Sequence, residues 1–118
     1  MITCERYHAV LPVGDISASI QFYTSKLGFS LDFTQGEPLT TFAAVSFGDN
    51  AQLFLVAATE KPHGCGLYFV VDDADAMLNV CRAAGTKIVE PIADRPYELR
   101  DFSIEDVDGY ILTFGHRL

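Results

Sequence analysis

A handful of side chains in this 118-residue chain have types that could do chemistry: His8, His63, Cys65, Asp101 and His116. His8 stands at the entrance of an apolar stretch, "YHAVLPVGDISASIQFY". An imidazole there can ligate a divalent ion or form part of a binding wall. One imidazole does not hold such an ion against water, because a catalytic metal site ordinarily takes three protein ligands. His63 and Cys65 could suggest an activated thiolate. They lie in "ATEKPHGCG", which reads as a loop, and no oxyanion-binding signature accompanies them. A structural cysteine is the expectation. Residues 90–108 hold seven acids against Arg95 and Arg100. Asp101 is offered to a cationic ligand, paired with one of those arginines, or a solvated edge residue. Tyr97, just before it, is a rim contact or packing.

The elements that must position these residues come in a repeated pattern. "VGDISASIQFYTSKLGFSL" (13–31) and "VDDADAMLNVCRAAGTKIV" (71–89) each leave an apolar run, reach an Asp, continue as an amphipathic stretch and close on a Gly. Asp15 and Asp73 are 58 positions apart, and Gly28 and Gly85 are 57 apart. Two marks at nearly one offset indicate a duplicated unit. In the first unit a strand near 7–13 leads to Asp15, a helix N-cap. A helix follows with Ile16, Ile20, Tyr23 and Leu27 on one face, and Gly28 closes it. Strands are expected near 29–36, 40–47 and 51–58. The second unit repeats this with a strand near 66–72, the cap Asp73 and a helix over 74–84. Its stripe is Ala74, Met77, Cys81 and Ala84, and strands follow near 86–91, 98–105 and 110–117. The order is βαβββ twice, an α+β fold. One helix covers one face of each four-stranded sheet, so the other face is free to form a ligand site.

Composition narrows the function classes. With 49% hydrophobic and 20% charged residues the chain is globular, and no apolar run approaches the length of a membrane span. "MITCERYH" lacks the pattern of a signal peptide. The cysteines (Cys4, Cys65 and Cys81) share no CxxC spacing and read as reduced thiols of a cytoplasmic protein. A net charge of −8 disfavours nucleic acid and attracts cations.

The duplication, with "HAVLPVGDISASIQFYTSKLGF" and "PYELRDFSIEDVDGYILTF", resembles the vicinal oxygen chelate superfamily of glyoxalases, extradiol dioxygenases and bleomycin-resistance proteins. Its closest likeness is to the bleomycin-resistance branch, through Arg100-Asp101-Phe102, Asp106 and Gly109. Val107 and Tyr110 depart from that branch's usual Pro and Asn. The resemblance implies a single domain of two βαβββ modules (about 1–58 and 66–118). The modules form a curved, cup-like mixed sheet with the helices outside. It also implies a homodimer. The superfamily's metal ligands would fall at His8, Gly66 and Thr113. Gly66 has no side chain and Thr113 offers only a neutral hydroxyl, so no metal and no cofactor are expected. A metal-dependent lyase or dioxygenase with a displaced site around His8, His63 or Cys65 is the alternative.

Strand alternation, with the repeat offset of about 59 from Ile111 and Thr113 for Gln52 and Phe54, gives the expected wall of the cup: His8, Gln52, Phe54, Tyr68, Asp101, Ser103 and Thr113. Phe102, Ile104, Leu112 and Phe114 belong to the opposite, helix-covered side. Aromatic faces with a carboxylate favour a flat or cationic organic ligand. The expected function is metal-free binding of such a small molecule, without catalysis, membrane or nucleic acid.

Overall fold

Asp15 and Asp73 each end an extended stretch and begin a helix. Both have extended backbone, with φ of −130° and −149°. The Asp15 carboxylate accepts the Ala18 N–H at 3.1 Å, and that of Asp73 accepts the Ala76 N–H at 3.0 Å. Each satisfies a backbone donor that the first helical turn leaves free. Gly28 and Gly85 close the two helical segments at φ of +82° and +71°, a region that suits a residue without Cβ.

The computed structural model describes residues 1–60 and 64–118, and His63 lies outside them. The chain divides into two units, Met1–Lys61 and Pro62–Leu118. The first comprises β1 (Ala9–Val13), α1 (Ile16–Gln21), a π-helical turn (Phe22–Lys26), β2 (Ser30–Gln35), β3 (Phe42–Phe47) and β4 (Ala51–Ala57). Its sheet order is β1-β4-β3-β2, with β1 parallel to β4 and the other pairs antiparallel. The second comprises β5 (Gly66–Val70), α2 (Ala74–Ala83), β6 (Lys87–Asp94), β7 (Leu99–Glu105) and β8 (Ile111–Arg117). Its order, β5-β8-β7-β6, repeats the plan with β5 parallel to β8. The fold is α+β with two four-stranded mixed sheets, as the repeat implies. No helix among the described residues is long and apolar enough to cross a membrane.

In each unit the helix packs on the two middle strands, α1 on β3 and β4, α2 on β7 and β8. The residues beneath are fully or nearly fully buried: Leu11, Val13, Ala43, Val45, Leu53 and Leu55 in one unit, Phe102, Ile104, Leu112 and Phe114 in the other. Alternation along those strands assigns the opposite face, away from the unit's own helix.

Two helical expectations are corrected. The face of the first helix is not a regular row of Ile16, Ile20, Tyr23 and Leu27. Ser19, Phe22, Tyr23 and Leu27 are buried, while Ile16 and Ile20 are only half-buried. The reason is the π-helical turn, in which the Leu27 N–H reaches back to the Phe22 carbonyl at 3.2 Å. That wider turn breaks the 3.6-residue period and lets the adjacent Phe22 and Tyr23 both pack inward. In α2, Leu78 joins Ala74, Met77 and Cys81 in the core, and Ala84 is a half-buried cap.

Candidate functional site

On the open face of the second unit, the register aligns Tyr68 with Thr113, Thr113 with Ser103, and Gly115 with Asp101. Cross-strand partners share a face, so these side chains converge. Asp101 is only 2% exposed. Its Oδ2 accepts the Tyr97 hydroxyl at 2.6 Å and the Tyr68 hydroxyl at 2.8 Å, and its Oδ1 accepts Arg95 Nε at 2.8 Å. The hairpin between β6 and β7 makes this possible. Arg95 N–H bonds the Leu99 carbonyl at 2.7 Å, which folds Arg95 and Tyr97 back over Asp101. Arg95 Nη2 is fixed in turn by the Pro91 carbonyl at 2.7 Å. Gly115 completes the cluster, because a Cβ there would run into the Tyr68 hydroxyl. Beside it, the Ser103 and Thr113 hydroxyls bond each other at 2.7 Å.

The electrostatics follow. Desolvation pushes the Asp101 carboxyl up, but the hydrogen bonds from Tyr97, Tyr68 and Arg95 and the arginine's charge outweigh it, and the group lies below its ordinary value. Tyr68 is pushed up by desolvation and by its bond to that carboxylate, and Tyr97 chiefly by the bond. Asp101 is buried, not a solvated edge residue, and of the two arginines it is Arg95 that pairs with it. Arg100 turns elsewhere, to Asp75 at 3.0 Å and Asp94 at 3.1 Å.

The open face of the first unit is different. His8 stacks on Phe54 at a centroid distance of 4.4 Å, Phe54 meets Phe42 at 5.2 Å, and Phe42 stacks on Phe33 at 5.9 Å. These rings form a row running from the start of β1 to β2. Ala44 lies under it, paired on one side with Phe33 and on the other with Phe54, and is fully buried. Phe33 is 44% exposed and Val10 56%. The Nδ1 of His8 is buried with no hydrogen-bond partner. At one end of the row, Asp32 accepts the Ser46 hydroxyl at 3.0 Å and Gln52 Nε2 at 2.8 Å. No ion pair of Asp32 occurs among the described residues. A pocket of about 280 Å³ opens there, its wall including His8, Asp32, Ser46 and Gln52.

The structure thus groups the expected wall residues by unit. His8, Gln52 and Phe54 share the open face of the first, and Tyr68, Asp101, Ser103 and Thr113 that of the second. The expected wall includes no residue of β2 or β3 and so lacks Asp32, Phe33 and Phe42. A bulge between Leu31 and Phe33 shifts the register, so that neighbouring Asp32 and Phe33 both reach the open face. The sequence offers Arg95 only as one of two possible partners of Asp101.

The superfamily's metal does not fit the residues present. Gly66 offers no donor, and the Thr113 hydroxyl is engaged by Ser103. A separate group, Asp73, Asp75 and His116, brings ligand-type atoms within 4.8 Å of one another. Each is already committed: Asp73 caps α2, Asp75 takes two bonds from Arg100, and His116 Nδ1 accepts the Ala74 N–H at 2.8 Å. A guanidinium against one carboxylate also repels a cation.

Comparison with known proteins places this geometry. Residues 7–114 match the family model of the Glyoxalase/Bleomycin resistance protein/Dioxygenase superfamily. A probable lactoylglutathione lyase of Vibrio cholerae is 31% identical over 117 residues, covering 89% of this chain and 85% of that one. An antibiotic-binding protein from a Streptomyces species has a TM-score of 0.85 at 23% identity, covering 100% of this chain and 99% of that one. The bleomycin-binding protein of Streptomyces verticillus, solved with copper(II)-bleomycin, has a TM-score of 0.78 at 23% identity, with 97% of each chain covered. At those identities the solved structures establish likeness of fold.

Proposed function

Because the chain belongs to the Glyoxalase/Bleomycin resistance protein/Dioxygenase superfamily, we propose that it binds and sequesters a small aromatic or cationic compound without a metal and without transforming it. The observation that carries this reading is the half-exposed ring row His8–Phe54–Phe42–Phe33 on the sheet face away from the unit's own helix. Such rings gain by stacking on a flat guest and by leaving water. The vacant ligand positions at Gly66 and Thr113 support binding over metal-dependent lyase chemistry, which needs a Lewis acid to polarise the substrate. Tyr68, Asp101, Ser103 and Thr113 belong to the proposal as a preformed wall, with Asp101 held in place rather than offered to the guest. In this reading both modules act as one domain of a cytoplasmic homodimer.

Isothermal titration with metal-free bleomycin, copper(II)-bleomycin and a panel of flat cationic drugs tests the proposal. Saturable binding by at least one compound, weakened about tenfold by Phe54→Ala, is expected. Metal analysis of protein purified without chelators is the counterpart. Stoichiometric Zn, Fe, Mn or Ni, together with chelator-sensitive formation of lactoylglutathione, would overturn the reading in favour of a lyase.

A further inference from the structure

The acid predicted to attract a cationic guest is Asp101, and the structure shows that carboxylate saturated by Arg95, Tyr68 and Tyr97. Asp32 is the reverse case. A carboxylate has roughly four lone-pair sites, and among the described residues each Asp32 oxygen accepts a single bond, from Ser46 on Oδ1 and from Gln52 on Oδ2. Both donors are neutral. They fix the orientation of the carboxylate without cancelling its charge, and they leave each oxygen capable of a second bond. Because Gln52 spends its Nε2 on Asp32, its amide oxygen is left to accept. The pocket beside them has aromatic walls in Tyr7 and His8, the latter backed by Phe54 at 4.4 Å. Arg6 and Asp49 also line it, so its lining holds two acids and one arginine.

Resting on the binding function proposed above, we infer that this pocket is a cation subsite for an aryl amidinium or guanidinium group, with Asp32 as its anionic partner and Tyr7 and His8 as its flat walls. A planar cation with parallel N–H donors matches the two free edges of the carboxylate, a geometry that a carboxylate and a guanidinium-type fork share. The group's ring then lies along the imidazole, and its charge gains from the ring faces. A neutral amide of the same outline supplies half the donors and none of the charge.

The test compares benzamidinium with neutral benzamide, each titrated by NMR against the full-length protein and against Asp32→Asn. The side chain is exposed and the change isosteric, and a thermal melt checks that the fold is kept. Benzamidinium should bind the wild type about tenfold tighter than benzamide, and that preference should vanish in Asp32→Asn. Its affinity should also fall with added salt. Equal binding of the two probes, or a preference that survives Asp32→Asn, overturns the subsite while leaving the sequestering function standing if bleomycin or a drug still binds. No binding of either probe also overturns the subsite. Failure of every compound, bleomycin included, brings down the broader function with it.

Discussion

On the open face of the second unit, the carboxylate of Asp101 is 2% exposed and meets two phenols and a guanidinium. On the open face of the first, Asp32 is exposed and meets a hydroxyl and an amide. Two sheets with the same strand order therefore place an acid on the same kind of surface with opposite consequences. Asp101 has its charge balanced and its lone pairs occupied from within the unit, so removing it should disturb the fold. Asp32 is oriented but not balanced, so removing it should disturb only what binds. The polar contents of a site do not by themselves tell which acid serves a ligand; the completeness of each acid's partners does.

The sharpest way to break that contrast is Asp101→Asn. The amide would turn a donor toward Tyr97, Tyr68 or Arg95, all of them donors themselves, and would leave the guanidinium without its partner. A loss of about 3 kcal/mol in urea unfolding is expected. The pH dependence gives the sign. The folded carboxyl lies below its ordinary value of 3.8. The stability it supplies is therefore present at neutral pH and is lost as the pH falls through the folded value. The gap between wild type and Asp101→Asn should stay constant down to about pH 4 and narrow only below it. A gap that closes at neutral pH would show that the carboxylate is not the group that matters.

Gly115→Ala attacks the same cluster from beneath. The new Cβ would meet the Tyr68 hydroxyl and approach the Asp101 Cβ at 3.0 Å. The ring must then leave, at about 2 kcal/mol. In a Tyr68→Phe background the hydroxyl that collides is gone, so the same substitution should be milder. Equal losses in both backgrounds would place the strain elsewhere.

Much of the fold was legible because the repeat writes it twice. Asp15 and Asp73 cap, Gly28 and Gly85 close, and alternation separates Phe102 and Ile104 from Asp101 and Ser103. The open-face placement of His8, Tyr68, Asp101, Ser103 and Thr113 follows from parity, and that of Gln52 and Phe54 from the repeat offset to Ile111 and Thr113. Parity does not hold across the bulge in β2, where neighbouring Asp32 and Phe33 both reach the open face. The helical period fails at a π-helical turn, and that is why Ile16 and Ile20 were misjudged. Sequence also could not choose between Arg95 and Arg100 for Asp101. The choice is made by a hairpin that folds Arg95 over β7, while Arg100 lies on the opposite side of that strand and reaches Asp75 on α2.

A smaller effect separates the two faces again. Ser103 and Thr113 donate and accept between themselves at 2.7 Å. Ser103→Ala deletes one neutral hydrogen bond and leaves a hydroxyl that can turn toward water, since Thr113 is only half-buried. About 1 kcal/mol of stability should be lost, measured by urea unfolding. A double substitution with Thr113→Val should cost less than the sum of the singles, because the two share one bond.

The smallest expected change in stability is that of Asp32→Asn, and it bears most directly on the comparison. Asparagine keeps the outline of the side chain, and its carbonyl can still accept from Ser46 or Gln52. The site is exposed, and among the described residues no cation loses a partner and no buried donor is abandoned. The unfolding free energy should therefore move by no more than about 0.5 kcal/mol, in contrast to the same chemical change at position 101. If the variant instead unfolds as readily as Asp101→Asn, then Asp32 is a structural acid like its counterpart. The open face of the first unit would then be finished for folding rather than left unsatisfied for a guest.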